Sequence, residues 1–249
     1  MYIRFSITKI IFVLTAIALL LIAADLAVIT IKFKFGIHIV TVFEKFILDD
    51  EGNVPAFFSS SILLLTFYIL LAITLIHRKE KSREFLYWLG LTLIFLFLAF
   101  DEAAALHESL VKIFWRVHEP SGFDNYVWPT VYGVLFLLLA AIYFKFVLSL
   151  PRKVMILFVL AAILYVGGAI GLEFIGSMYI GQSWYQPLDW EKLADGSYYL
   201  IATIEEVGEI FGVLTFIFAL LTYIEMKWQG LYLYVGETPT DKETNQLPR

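Results

Sequence analysis

Six runs of roughly twenty apolar residues limit what this chain can fold into, because a bilayer-spanning helix needs about that many. They fall at 9–31, 58–76, 85–106, 127–148, 154–175 and 199–224. Together they take most of the 249 residues, and the whole chain is 60% hydrophobic, with a mean hydropathy of +0.81. Ordinary soluble domains are only about 45–50% apolar. The expected fold class is therefore all-α: a polytopic membrane helix bundle of about six transmembrane helices. Residues 1–226 read as a single transmembrane domain, with an outer interfacial segment at 33–57, and 227–249 as a short polar tail. The first run follows Arg4 and Lys9 as a signal sequence would, yet it stays apolar beyond Ala24, which points to an uncleaved anchor.

The basic residues choose an orientation. Arg4 and Lys9, the stretch HRKEKSR between the second and third runs, PRK between the fourth and fifth, and Lys227 after the sixth all fall on one side. By the positive-inside rule that side is cytoplasmic, so both termini are expected inside a cell membrane, inner or plasma. The opposite loops carry LDDEGN, HEPSGFDN and PLDWEKLADG. Trp88 and Trp228 fall near the inner boundary and Trp128 near the outer one, as interfacial belts would place them. The net charge of -5 comes largely from acids in or beside apolar runs, which makes nucleic acid an unsuitable partner. The chain has no cysteine, so any metal must be held by oxygen and imidazole.

The intramembrane acids gather at one depth. Asp25 lies in the first run, Asp101, Glu102 and Glu108 in the third, Glu173 in the fifth, and Glu205, Glu206 and Glu209 in the sixth, all in the outer half. An ionisable group near the bilayer centre costs about 2.5–3.5 kcal/mol on insertion scales, so such groups face protein or a water-filled cavity. At helical spacing Asp101, Ala104, Ala105 and Glu108 share a face, as do Glu205, Gly208, Glu209 and Gly212. The fifth run places Ala169, Glu173 and Gly176 together and has a second small-residue pair at Gly167 and Gly171. Small residues let membrane helices approach closely. The third, fifth and sixth helices are thus expected to pack together around a shared, outward-opening cavity.

That cavity suits a hard cation. Asp101, Glu108, Glu173, Glu205 and Glu209 are the candidate metal ligands, and Glu102, His107 and Glu206 the candidates for general acid/base work. Carboxylates favour calcium, magnesium or manganese, with iron or zinc admitted if His107 joins. His107 reads equally well as a solvated interfacial residue. Asp25 reads more as a capping acid than as a ligand, and DDEGN at 49–53 more as a polar turn than as a calcium loop, whose full spacing it lacks. No Glu-x-x-His repeat, HExxH, GxSxG or P-loop is present.

The runs LDDEGNVPAFFSS, DEAAALHE, YVGGAIGLE and EEVGEIFG, in this order, resemble a group of bacterial multi-pass membrane proteins. Their usual motifs are Glu-Gly-Asn-x-Pro followed by Trp-Phe-Ser after one residue, Asp-Glu-x-x-x-x-His-Glu, and Glu-Glu-x-x-Glu. Phe57 stands where that group's tryptophan is expected. The resemblance covers most of the chain and implies the multi-pass architecture, but brings no activity with it. Three readings stay open: a metal-binding membrane protein acting on a lipid-borne substrate, a proton or cation transporter, and an accessory subunit docking a membrane-protein partner or a second copy of itself. Contact with the lipid bilayer is common to all three.

Overall fold

The structure, a computed structural model, describes residues 2–4, 6–35, 41–106, 127–180, 196–229 and 232–234. Among these, six helical spans are long and apolar enough to cross a membrane: Ile7–Lys34, Val54–Lys79, Phe85–Ala104, Trp128–Ser149, Arg152–Tyr179 and Gly196–Trp228. The all-α polytopic bundle is therefore what forms, with one small addition at its ends. Strands β1 (Tyr2–Arg4) and β2 (Tyr232–Tyr234) pair antiparallel, Tyr2 opposite Tyr234, and hold the two ends of the bundle on the same side.

Helix α1 (Ile7–Ile29) runs on through a π-helical turn at Thr30–Lys34. It buries Ala18, Leu21, Asp25 and Val28, one face at helical spacing, against the last helix. Between the first and second spans the described residues hold a single helical turn, α2 (Thr41–Glu44). The second span starts earlier than its apolar run because Asn53 caps it: the Asn53 side chain accepts the Ala56 N–H at 2.9 Å, and Pro55 sits in the first turn, where no N–H is needed. This helix, α3 (Val54–Lys79), forms a hairpin with α4 (Phe85–Ala104). The hairpin is sewn by a Thr74–Thr92 hydroxyl pair at 2.8 Å and by Ser60 donating to the Ala99 carbonyl at 3.1 Å.

Helix α5 (Val127–Ser149) turns tightly into α6 (Arg152–Val166), which passes through a π-helical stretch at Gly167–Leu172 into α7 (Glu173–Ile180). Helix α8 (Gly196–Trp228) is the axis of the bundle and packs on α1, α3, α6 and α7. At 1.5 Å per residue it is about 50 Å long, well beyond the about 30 Å hydrocarbon core, so it tilts or projects.

Glycines set how closely α8 lies on α6. A Cβ at Gly212 would meet the Tyr165 nitrogen at 2.7 Å, and one at Gly168 would meet the Glu205 carbonyl oxygen at 2.7 Å. The pair Gly208 and Gly212 thus does what its spacing predicts, whereas Gly167 and Gly171 have nothing within 4 Å of a Cβ position. The small-residue contact on the fifth span is Gly168, because the π-helical turn resets which residues face α8.

The inner end is closed by side chains. The hydroxyl of Tyr223 lies 2.9 Å from His77 Nε2 and accepts from Lys227 Nζ at 3.1 Å, and Glu84 is 3.8 Å from the same ammonium. Trp228 donates to Glu80 at 2.9 Å. Trp88 is fully buried and stacks on His77, so it belongs to the core and not to the interfacial belt expected from its position. Above this layer Trp88, Leu91, Phe158, Phe216 and Leu220 pack as one apolar cluster.

Candidate functional site

Between α4, α5, α6 and α8 the bundle is hollow, with the lining running from Trp128 to Val147 along α5. The cavity measures about 1300 Å³, and Asp49, Asp50, Glu51, Asp101, Glu102, Glu173, Glu205, Glu206 and Glu209 all line it. Acids from the membrane helices and from the outer loop therefore share one mouth. Among the described lining residues there is no lysine, arginine or histidine.

Each acid is placed by local structure. Asp101 is buried in the last turn of α4 and accepts a hydrogen bond from the Tyr132 hydroxyl of α5 at 3.2 Å. Just beyond it the helix stops: Ala105 adopts a left-handed conformation, φ 48° and ψ 48°, and its N–H bonds back to the Asp101 carbonyl. The face expected to join Asp101, Ala104, Ala105 and Glu108 is therefore broken at Ala105, since helical spacing does not hold across a left-handed residue. His107 and Glu108 lie outside the described residues.

Glu173 opens α7 directly after the π-helical stretch and accepts from Ser177 at 3.4 Å. Across the cavity mouth its carboxyl is within hydrogen-bonding reach of Glu205. Glu209 and Asp49 also lie within electrostatic range of Glu205, and Glu102 of Glu206. Two carboxyl groups in hydrogen-bonding reach share a proton or a cation, because two bare charges repel. Glu205 and Glu206 follow one another on α8, yet both reach the same mouth, whose walls curve around the helix.

The third and fifth spans do not pack on one another as expected. They are opposite walls of the cavity: α4 packs on α3, α6 packs on α8, and α4 reaches α8 through side chains such as Phe95 stacked on Phe216 at 4.7 Å. The acids meet across a space instead of along a helix contact.

The acidic turn was the residue group least visible in the sequence. It is held in place by Asp25, which is completely buried and accepts the Leu48 N–H at 3.0 Å and the Thr203 hydroxyl at 2.7 Å. The lone acid of the first span is thus a clamp that sets Asp49–Glu51 over the mouth. Gly52, with φ 64°, turns the chain there, and the Asn53 amide donates to the Ile47 carbonyl. Asp50 still reaches solvent, yet partial desolvation and the nearby Glu44 hold its carboxyl above the usual range, with Lys32 opposing them.

A family described as a domain of unknown function, DUF8692, matches residues 12–224. The chain belongs to the DUF8692 family. The match runs from the first span into the last, so every acid of the mouth falls inside the DUF8692 region. No curated protein and no solved structure matches the chain.

Proposed function

We propose that this DUF8692 protein binds a hard divalent cation, calcium, magnesium or manganese, in its outward-facing acidic cavity, and that the ion serves chemistry on a lipid-borne substrate at the outer face of a cell membrane. The observation that carries this reading is the approach of Glu173 and Glu205 from separate helices, in a mouth ringed by further acids. Glu209 beside this pair and Asp101 on the facing wall are the further ligands, and Glu102 and Glu206 stand as proton donors or acceptors. Among the described residues no three donors are yet gathered closely enough to hold an ion. A bound hard cation, which takes roughly six or more oxygen ligands, would draw further carboxylates in around this pair.

The packing gives less support to a transport path. Below the acids the cavity is lined by apolar residues, Leu91, Phe158 and Phe216 among them, and beyond it Trp88, Val154 and Leu220 close the bundle with no acid in their cluster. An ion crossing it would have no oxygen ligands.

Manganese titration followed by electron paramagnetic resonance tests the binding reading. The wild-type protein should take up the ion, and Glu173→Gln should weaken it by at least the about 10–100-fold typical of losing a group that supports a metal site. Equal affinity in the two proteins, or no uptake by either, would overturn it.

A further inference from the structure

The cavity does not end at the acids. Beneath them its walls are largely apolar, with Leu91, Leu139, Phe158, Ala162 and Phe216 beside Tyr143. Glu205 and Phe216 are on one helix and stand about 16 Å apart along it at 1.5 Å per residue. Along α5 the lining continues from Trp128 to Val147, about 29 Å at 1.5 Å per residue, so the cavity is at least one leaflet deep, half of a hydrocarbon core of about 30 Å. The whole space, about 1300 Å³, exceeds the roughly 300–1,000 Å³ of ordinary small-ligand pockets. It also opens sideways alongside α5: Leu135 and Phe144 line the cavity from α5, Val159 and Ile163 from α6, and they are 57%, 63%, 47% and 63% exposed. An apolar shaft at least one leaflet deep, with a polar mouth at headgroup level and a side opening to the bilayer, matches the two-part chemistry of a membrane lipid.

We propose that the shaft takes the hydrocarbon chain of an outer-leaflet phospholipid, which enters from the bilayer alongside α5 and leaves its headgroup among the carboxylates. This names the substrate class of the site described above and rests on the cation reading only for how the headgroup is held. Charge complementarity places the headgroup's cationic part, an ammonium or a bridging metal ion, against the acids. The side chains that select the chain are those of the shaft, and Ala162 is the small residue whose enlargement would fill it.

The test is photolabelling of the full chain in phosphatidylethanolamine–phosphatidylglycerol vesicles doped with phosphatidylethanolamine that carries a diazirine near its chain end. Labelled positions are mapped by mass spectrometry. The expected result is labelling at Phe158, Ala162 or Phe216, mostly lost in Ala162→Trp and kept in Leu138→Trp, whose side chain lies on α5 outside the cavity lining. Val159→Trp, on the same wall, serves if Ala162→Trp does not fold. Labelling confined to Leu137 and Leu138, or unchanged by both shaft variants, would overturn the proposal. Repeating the labelling with manganese and with a chelator separates the two claims. Shaft labelling in a protein that binds no manganese upholds the chain site and removes the cation reading, and manganese uptake without shaft labelling does the reverse.

Discussion

The Thr203 hydroxyl donates to Asp25 at 2.7 Å, joining the first and last spans at the level of the acidic mouth. Because the same carboxyl holds the Leu48 amide, Asp25→Ala would strand that buried N–H, while the Thr203 hydroxyl keeps the Tyr199 carbonyl at 2.8 Å. A buried donor left without a partner costs about 1–3 kcal/mol. Asp25→Ala should therefore lower the thermal midpoint of the detergent-solubilised protein markedly, and Thr203→Val should do so by less. An unchanged midpoint in Asp25→Ala would show that the clamp does not hold the loop.

The two glycine pairs give opposite expectations. Gly168→Ala and Gly212→Ala put a methyl group within 2.7 Å of neighbouring backbone and should each cost about 1–3 kcal/mol through overpacking. Gly167→Ala and Gly171→Ala meet nothing within 4 Å, so they should be neutral or slightly stabilising. Melting curves of the four variants check the contrast, and equal effects across both pairs would count against the close α6–α8 approach.

These cases show what was legible in the sequence. Apolar run length located the spans and the outer acids, because insertion into hydrocarbon depends on composition more than on detail. Helical projection then found Gly208 and Gly212 but chose Gly167 and Gly171 over Gly168, since a π-helical turn shifts the register without leaving a unique signature. It also carried the α4 face through Ala105, where the backbone turns left-handed. The membership of Asp49–Glu51 in the mouth rests on the Asp25–Leu48 hydrogen bond. That bond spans 23 residues, and no local pattern encodes it.

Ala105 offers a stabilising substitution. A left-handed conformation costs an L-residue about 1–2 kcal/mol and costs glycine little. Ala105→Gly should raise the melting temperature and Ala105→Val should lower it. The reverse order would mean that α4 does not end in this cap.

The inner and outer ends should behave independently. Tyr223 bonds His77 and Lys227 about 21 Å along α8 from Glu209 at 1.5 Å per residue. Tyr223→Phe should cost about 1 kcal/mol of stability and leave manganese affinity at the outer mouth unchanged. A large loss of affinity would reveal a connection through the apolar layer and revive the transport reading.

Whether the acids of α7 and α8 hold a cation is decided by elemental analysis. The protein would be purified in detergent beside a Glu205→Gln, Glu209→Gln variant that keeps the same elution volume and helical content. A cation site gives near-stoichiometric calcium, magnesium or manganese in the wild-type protein and its loss in the variant. No metal in either protein, or the same metal content in both, would contradict it.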